Sequence, residues 1–313
     1  MTIPPSLQGR LKAPIIAAPM FLTSGPDLVV ETCRGGLLGT FPALNQRTTE
    51  GYEAWLDEIE ERLAAAPGAA PFGVNLVVHK SNPRLEADLE VTVKHKVPLV
   101  ITSLGSVREV VDAVHSYGGL VFHDVVSRRH AEKAAQTGVD GLIAVTAGAG
   151  GHAGTLNPFA FIPELRSFFN GAVILGGCLS TGQQVAAARV LGADFAYLGT
   201  RFINTKESIA PEGHKRMIVD SQAADIVYTP AVSGIPANFL KASLEAAGLD
   251  VASAVRDPSK LDFKVDGHEA KAWKDIWSAG QGVGSIHDIP STAELCARLI
   301  AEYHDALRMA EAA

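Results

Sequence analysis

A loop of small residues around one histidine is the stretch of this sequence best suited to chemistry. It reads TAGAGGHAGT over residues 146–155, and His152 is its one imidazole. Glycine and alanine let a backbone touch a flat ligand, and an imidazole with a pKa of about 6.5 can accept or donate a proton at neutral pH. We predict that His152 is catalytic and that a ligand lies against Ala149, Gly150 and Gly151. A surface histidine in a flexible loop is the alternative.

Two glycine-containing turns predict an anion site. Gly176 and Gly177 precede the letters CLSTG, which open a predicted helix, and Gly199-Thr200 end the next apolar run. Small residues let backbone N–H groups approach a phosphate, and a helix N-terminus adds a favourable dipole. Glycines that only form tight turns are the alternative. That alternative is weaker because two loops share the feature.

Polar and soft side chains at the ends of other apolar runs complete the candidate site. A buried amide such as Asn75 must be satisfied, and the edge of a cofactor ring would satisfy it. Ser103 and Thr102 could serve in the same way, and Met20 offers an apolar contact. His123 either points inward beneath the site or fills the core, and it stays a candidate for cofactor binding.

Other kinds of site lack their sequence signals. Cys178 has no base near it in sequence, so a packing role is favoured over a nucleophilic one. The chain has no GxGxxG, no P-loop GxxxxGK, no HExxH and no His, Asp and Glu cluster at metal spacing. We therefore expect no metal site. The run GQGVG at 280–284 does not follow a predicted strand and is a weak signal.

The elements that position these residues alternate between apolar runs and amphipathic stretches. Runs that are apolar throughout are typical of parallel strands covered on both faces. The eight predicted strands are Ala13–Pro19, Leu37–Phe41, Phe72–Val78, Val97–Leu104, Leu120–Val125, Gly141–Thr146, Ala172–Gly177 and Phe195–Thr200. The predicted helices between them are Asp27–Cys33, Tyr52–Ala65, Pro83–Lys94, Val107–His115, Ser127–Gln136, Pro158–Phe169 and Gly182–Leu191.

Local signals support several helix ends. Ser127, Asn157 and Thr181 are side chains that cap helix N-termini. Gly192, like Gly138, stands before a predicted strand and suits the left-handed residue that closes a helix.

Eight strand–helix units predict an α/β fold, a (β/α)8 TIM barrel. An open doubly wound sheet is the alternative, but the glycine-rich turn after its first strand is missing. In a barrel the active site lies at the C-terminal ends of the strands, and a phosphate site after strands seven and eight recurs. The candidate residues stand at those positions.

The strand–helix rhythm stops after Arg201. We predict a barrel over residues 1–208, a helical lid or substrate domain over 209–285, and a C-terminal helix over 286–313 that packs back on the barrel. Within the lid, the letters EGHKRMIVDSQAADIV, YTPAVSGIPANF and LKASLEAAGL are interpreted as helices with long loops, and Asp250–Ala272 as polar and irregular. The last helix, Ser291–Ala310, begins with the capping box STAE.

Composition limits the partners and the location. The 313 residues are 47% hydrophobic with a formal net charge of −7, which argues against a nucleic-acid or anionic-membrane surface. Three distant cysteines argue against a disulfide framework or a zinc site. No run reaches the roughly 18 apolar residues of a membrane span. We expect a cytoplasmic monomer or homodimer that acts on a small molecule.

Several motifs together resemble the nitronate monooxygenases, formerly called 2-nitropropane dioxygenases. They are AAPM at 17–20, PFGVN at 71–75, AGAGGHAG at 147–154, LGG at 175–177, GADFAYLGTRF at 192–202 and WSAGQG at 277–282. The resemblance covers about residues 10 to 300.

The resemblance implies an FMN-dependent enzyme that oxidises alkyl nitronates with O2 to a carbonyl compound and nitrite. FMN would sit at the mouth of the barrel, and His152 would be the catalytic acid–base beside it. The implied cofactor-binding residues are Ala18, Met20, Asn75, Ser103, His123, Ala149, Gly150, Gly151, Gly176, Gly177, Gly199 and Thr200, with Gly177, Gly199 and Thr200 at the phosphate.

Two positions depart from the pattern of that family. Some relatives have lysine where this chain has Asp124 and aspartate where it has Val145. These departures leave the contacts at the ring edge, and the substrate, open. NAD(P)H-dependent reductases of quinones or enoyl thioesters share the glycine–histidine loop and are the alternative function.

Overall fold

A closed barrel of eight parallel strands forms the body of the protein. The computed structural model describes residues 2–105, 107–232, 234–249 and 276–312. The barrel order is β1-β2-β3-β4-β5-β6-β8-β9, which confirms the TIM-barrel prediction. The barrel strands are β1 (Ile15–Ala17), β2 (Leu38–Pro42), β3 (Phe72–Val77), β4 (Leu99–Ser103), β5 (Leu120–Val125), β6 (Gly141–Val145), β8 (Ala172–Gly176) and β9 (Phe195–Leu198).

Helices follow the strands and cover the outside of the barrel. They are α1 (Pro26–Arg34), α2 (Thr49–Ala64), α3 (Leu85–Lys94), α4 (Arg108–His115), α5 (Arg128–Gln136), α6 (Pro158–Arg166), α7 (Gly182–Leu191), α8 (Thr200–Ile203), α9 (Glu212–Val219), α10 (Lys241–Ala246) and α11 (Thr292–Glu311). Short 3-10 turns span Pro5–Leu7, Ala43–Asn45, Ala223–Asp225 and Gln281–Ser285. Thr200, predicted to end the eighth strand, begins helix α8 instead.

The strands are apolar throughout because each has two buried faces. Phe122 of β5 and Phe195 of β9 belong to strands that are not neighbours, yet their ring centroids lie 6.1 Å apart. These two side chains therefore meet inside the barrel, in one cluster with Ile16, Ile143 and others. The alternate residues pack outward, for example Val121 and Leu142, in the cluster beneath the helices. This alternation decides which side chains can reach the mouth of the barrel.

The predicted capping residues form the expected hydrogen bonds. The Ser127 side chain accepts from the amide of His130, and the Asn157 side chain from that of Phe159. Thr181 and Ser291 each form a full capping box. Gly192 closes α7 in the left-handed conformation at a φ of 114°. Local sequence signals therefore fixed these helix ends correctly.

The region after α8 contains strands that the helical interpretation missed. Helices α9 and α10 are present, but β10 (Ile226–Thr229) and β11 (Ala237–Leu240) form an antiparallel pair between them. The short strand β7 (Gly151–His152) pairs with β11 and completes a three-stranded sheet. Four-residue strands carry too little periodicity to separate from a helix. Asp250–Ala272 lies outside the described residues, and the three domain boundaries stay predictions.

The last helix closes the outside of the barrel. Leu295, Cys296 and Leu299 of α11 lie in one buried cluster with Val185 of α7 and Leu28 of α1. Gly182 makes this contact possible, because a Cβ there would lie 2.4 Å from the carbonyl oxygen of Leu299. Within the part of the chain that the structure describes, no helix is long and apolar enough to cross a membrane.

A repeated Gly-x-Asp element yields a test of the fold. The side chains of Asp194 and Asp140 each accept a backbone N–H just inside a barrel strand, from Val173 and Val121. Asp194 is fully buried and also pairs with Arg166, whereas 29% of the Asp140 side chain is exposed. We expect Asp194→Ala to lower the free energy of unfolding by about 3 kcal/mol, because it leaves buried partners without their anion.

Urea unfolding of Asp194→Ala, with Asp140→Ala as the matched control, measures this difference. The control should lose only about 1 kcal/mol, because water can replace its bonds. Equal losses in the two variants would contradict the assignment of Asp194 as the buried anchor.

Candidate active site

The glycine loop, residues 146–155, is held over the carboxyl end of the barrel, here called the barrel mouth. It follows β6, and its strand β7 pairs His152 with Ala237 of β11. The Asn238 side-chain amide donates to the Ala149 carbonyl over 2.7 Å, and the Gln281 backbone N–H donates to the Gly148 carbonyl over 2.8 Å. The histidine therefore stands on a fixed loop, which disfavours the flexible-loop alternative.

The glycines of this loop are required by close backbone approach. A Cβ at Gly150 would lie 2.9 Å from the backbone nitrogen of Gly280, and one at Gly148 would lie 2.6 Å from Oε1 of Gln281. Gly148 and Gly151 also have φ values of 79° and 70°, which favour glycine. Gly151 differs, because a Cβ there would meet nothing within 4 Å. The loop is thus packed on one side and open at Gly151, next to His152.

Burial favours the neutral form of the catalytic candidate. The His152 side chain is half-buried, and burial lowers the pKa of its imidazole below the usual value. At neutral pH the ring is uncharged and can accept a proton. The structure thus provides a candidate base rather than a cation at the edge of the mouth.

A line of polar side chains crosses the inner face of the mouth. The Asn75 side-chain amide donates to Ser103 Oγ over 2.7 Å and to the Ile101 carbonyl over 3.1 Å. Ser103 Oγ donates to Asp124 Oδ2 over 2.6 Å. Tyr197 of β9 shares a strand face with the inward-facing Phe195 and packs against the inner cluster, so it faces the same space. The structure therefore joins the predicted Asn75 and Ser103 to Asp124, already noted as a departure at the ring edge, and to Tyr197, which was not among the predicted site residues.

His123 does not belong to this set. It alternates with Phe122 and Asp124, which face the interior, so its ring faces the helices. There its Nδ1 lies 2.7 Å from Thr102 Oγ1, and burial lowers its pKa to about 4. This direction turns the ring away from the mouth and disfavours the prediction that His123 binds the cofactor. Sequence position near a strand end does not reveal which face a residue occupies.

The predicted phosphate turns lie on the opposite side of the mouth. Gly177 has a φ of 128°, and a Cβ there would lie 2.5 Å from Thr146 Oγ1. A Cβ at Gly199 would meet Met20 Sδ at 3.7 Å and Ala18 Cβ at 3.8 Å. The structure thus brings Ala18, Met20 and Gly199 together, with room for a Cβ at Gly199.

The N-terminus of α7 is already occupied by protein groups. Gln184 Oε1 accepts from the backbone N–H groups of Ser180 and Thr181 over 2.6 and 3.1 Å. A carboxylate oxygen of Glu302 accepts from the Gly182 N–H over 2.7 Å. These acceptors disfavour the expected contribution of this helix dipole to an anion site. The protein groups that remain available to bind a phosphate are those of the turns 176–178 and 199–200.

The WSAGQG segment, residues 277–282, is a part of the site that sequence analysis underestimated. The Gly280 N–H donates to Thr200 Oγ1 over 2.9 Å, and Ser180 Oγ donates to the Gly282 carbonyl over 2.9 Å. Trp277 stacks on His214 of α9 at 5.4 Å. The segment therefore links both phosphate turns to the glycine loop. Its motif was visible, but only the fold shows that it meets the mouth.

Cys178 stands in a strained position between these elements. Its φ is 58°, and its thiol lies 3.5 Å from the Ala147 carbonyl oxygen and 3.8 Å from Gln281 Oε1. Burial raises the pKa of the thiol, so the thiolate is disfavoured. This agrees with a packing role.

Asn238 is a further residue that the sequence gave no reason to select, and it yields a test. We expect Asn238→Leu to leave the Ala149 carbonyl without its buried donor, which costs about 1–3 kcal/mol of local stability. Amide hydrogen exchange in the glycine loop should then speed up several-fold or more. In Tyr228→Phe, which loses a half-exposed bond to the Ala153 carbonyl, the effect should be smaller. Unchanged exchange in Asn238→Leu would contradict this account of how the loop is held.

Comparison with known proteins gives relatives over most of the chain. A nitronate monooxygenase of Paraburkholderia phytofirmans is 28% identical, with 91% of each chain covered. An octahydro-indene-4-carboxyl-CoA dehydrogenase of Rhodococcus jostii is 27% identical, with 79% of this chain and 70% of that protein covered. Among solved structures, nitroalkane oxidase from Streptomyces ansochromogenes has a TM-score of 0.81 at 26% identity, covering 97% of this chain and 99% of that one.

The family model for nitronate monooxygenase matches residues 7–302, which is nearly the whole chain. This match confirms the resemblance seen in the motifs around His152 and the phosphate turns. The chain therefore belongs to the nitronate monooxygenase family, a family of flavoprotein oxidoreductases.

Proposed function

We propose that this protein uses FMN to oxidise alkyl nitronates with O2, giving a carbonyl compound and nitrite. The observation that carries the proposal is the position of His152. A neutral imidazole stands on a fixed glycine loop over the barrel mouth, beside the backbone opening at Gly151. Family membership and the likeness to a nitroalkane oxidase support this substrate class.

The residues of the mouth fit a phosphorylated flavin. On one side, the turns at Gly177 and Gly199 present backbone without side chains, and a Cβ at Gly199 would meet only ordinary contacts. On the other side, Asn75, Ser103 and Asp124 present polar groups, and Asp124 Oδ1 is buried without a hydrogen-bond partner among the described residues. A buried polar atom of this kind requires an explanation, and a ring with polar edges provides one. The span between the two sides is where the ring would lie.

The chain's own groups then have distinct roles. When bound, the flavin accepts electrons from the substrate and passes them to O2. Backbone of the turns 176–178 and 199–200 would hold the phosphate, and Met20 with Ala18 would pack beside it. His152 accepts the proton from the carbon next to the nitro group when the neutral nitroalkane is the substrate. The sheet of β7, β10 and β11 holds the glycine loop that carries His152.

The region over residues 209–285 is proposed as the substrate domain. Its strand β11 positions His152, and its WSAGQG segment meets both phosphate turns. Sequence differences in this region would therefore alter the pocket without changing the barrel. We propose residues 1–208 as the cofactor domain and a cytoplasmic location for the enzyme.

The role of His152 is tested by separating its proton transfer from the oxidation itself. We expect His152→Asn to keep FMN and to lower turnover of a neutral nitroalkane by about 10²–10⁴, the usual contribution of a general base. A preformed nitronate, which has already lost that proton, should be affected much less. Steady-state oxygen consumption with both substrates measures the difference. Near-normal turnover of the nitroalkane would remove His152 from the mechanism.

The pKa of His152 also predicts the shape of the pH profile. Because burial lowers this pKa, kcat/KM for a neutral nitroalkane should rise with pH, with a midpoint below that of free histidine. Above the midpoint the profile should be flat. In His152→Asn this rise should be absent, and a rise that survives the substitution would assign the titration to another group.

The phosphate turns are tested at Gly199. Its φ is negative, and a Cβ meets only ordinary contacts, so substitutions there should fold. We expect Gly199→Asp to weaken FMN binding about tenfold or more, because it places a carboxylate beside a phosphate. Gly199→Ala, the neutral control, should lose less. Equal flavin content in Gly199→Asp and the unchanged protein would defeat the phosphate assignment.

A reductase is the second candidate function. The Rhodococcus relative, whose name is that of a carboxyl-CoA dehydrogenase, favours a thioester substrate. Anaerobic addition of NADH or NADPH separates the two functions through the flavin absorbance near ~450 nm, where oxidised flavin absorbs. Bleaching by a nitronate alone supports the oxygenase, whereas fast bleaching by NADH or NADPH supports a reductase.

A further inference from the structure

The carboxyl of Asp124 lies inside the barrel mouth, although no part of the proposed reaction uses it. It shares a strand with Phe122 and points to the same inner face. Tyr197 on β9, across the barrel, faces the same interior. The side chain is half-buried, and its Oδ1 atom is enclosed. Asp124 therefore forms part of the floor on which a ligand in the mouth would rest.

The hydrogen bonds around Asp124 have a fixed direction. The Asn75 side-chain nitrogen can only donate, so Ser103 Oγ accepts that bond and uses its own hydrogen to donate to Asp124 Oδ2. Asp124 thus receives one donor on Oδ2, whereas Oδ1 has no partner among the described residues. One donor is little for a buried carboxylate, which can accept about four. The site is better suited to a neutral carboxylic acid than to an anion.

The groups that face Asp124 do not compensate a negative charge. Ser103 faces it from β4 and Asn75 stands behind Ser103 on β3, and both are uncharged. Tyr197 faces it from β9 with a pKa raised well above the usual value, mainly by burial, so the phenol stays protonated. His123 on the same strand faces outward. Burial raises the pKa of Asp124 to about 6, opposed only by the Ser103 hydrogen bond.

We propose that Asp124 contacts the bound flavin ring as a neutral carboxylic acid. Flavin binding is then coupled to proton uptake by this carboxyl. The inference rests on the proposed FMN cofactor. A flat ring laid over the mouth removes the water that still reaches the half-buried side chain. Removing water disfavours the carboxylate further, so the protonated acid is the form that the complex retains.

The direction of the pH effect follows from this coupling. Before binding, the pKa of Asp124 is about 6, and in the complex it is higher. Affinity for flavin is therefore greatest below pH 6 and falls as the pH rises, by up to tenfold per unit until the pKa of the complex is reached. The opposite sign would mean that the flavin donates a hydrogen bond to an ionised Asp124.

The experiment compares FMN binding by the unchanged protein and by Asp124→Asn between pH 5 and 8. Flavin is removed first, and quenching of FMN fluorescence gives the dissociation constant at each pH. The FMN phosphate and His152 also titrate in this range, but they do so in both proteins. The ratio of the two dissociation constants therefore isolates Asp124. Asp112→Asn, the same change at an exposed site on α4, is the matched control.

We expect the dissociation constant of the unchanged protein, divided by that of Asp124→Asn, to rise at least tenfold from pH 5 to pH 8. The same ratio taken with Asp112→Asn should stay near one throughout. Ser103→Ala should move the midpoint of the unchanged profile to higher pH, because it removes the bond that opposes the raised pKa. A structural role of Ser103 would not shift a midpoint. Parallel profiles, or an affinity that improves with pH only when Asp124 is present, would overturn the inference.

A second measurement keeps the inference testable if Asp124→Asn does not fold. Calorimetric titration of the unchanged protein with riboflavin, which has no phosphate, in two buffers of different ionisation enthalpy gives the protons taken up on binding. Near pH 7 we expect net uptake, whereas burying His152 would release protons. No uptake would contradict the inference. Failure of every protein to bind either flavin at any pH would instead reject the proposed cofactor.

Discussion

The site depends on the close approach of two backbone segments, the glycine loop and the WSAGQG segment. Any residue with a side chain at the contact would prevent this approach. The glycine loop and the WSAGQG segment pack so that a Cβ at Gly280 would lie 2.6 Å from the Gly148 carbonyl oxygen. That contact fixes the loop after β6 against the turns after β8 and β9, since the segment also bonds to Thr200 and Ser180. The position of His152 follows from it. A barrel supplies the strands, but this contact supplies the geometry of the catalytic candidate.

The charges of the mouth form a second constraint. Burial lowers the pKa of His152 and raises the pKa values of Asp124 and Tyr197, so all three side chains favour the uncharged form. Glu302 already accepts from the N-terminus of α7, close to the predicted phosphate turns. A phosphate bound at this site would then be held by backbone dipoles of the loops. Such a mouth suits a flat ligand with polar edges.

Sequence patterns predicted the barrel and its helix caps, because these features are local, and they selected Asn75, Ser103 and His152, which the structure brings to the mouth. Apolar runs mark strands buried on both faces, and Ser127 or Thr181 caps the helix that follows it. The features that sequence patterns could not predict depend on contacts between residues far apart in the chain. The inward or outward direction of His123 depends on strand alternation inside a closed barrel. The pairing of β7 with β11 joins residues more than eighty positions apart, and the binding of Asn238 to Ala149 follows from that pairing.

A crystal structure of the protein with bound FMN would test the central claim most directly. The account predicts the phosphate against the backbone of the turns 176–178 and 199–200. It also predicts that the ring lies across the floor formed by Asp124. The His152 imidazole should then lie within about 3 Å, hydrogen-bond reach, of a substrate placed on the ring. An imidazole remote from the ring, or a phosphate bound elsewhere on the barrel, would contradict it.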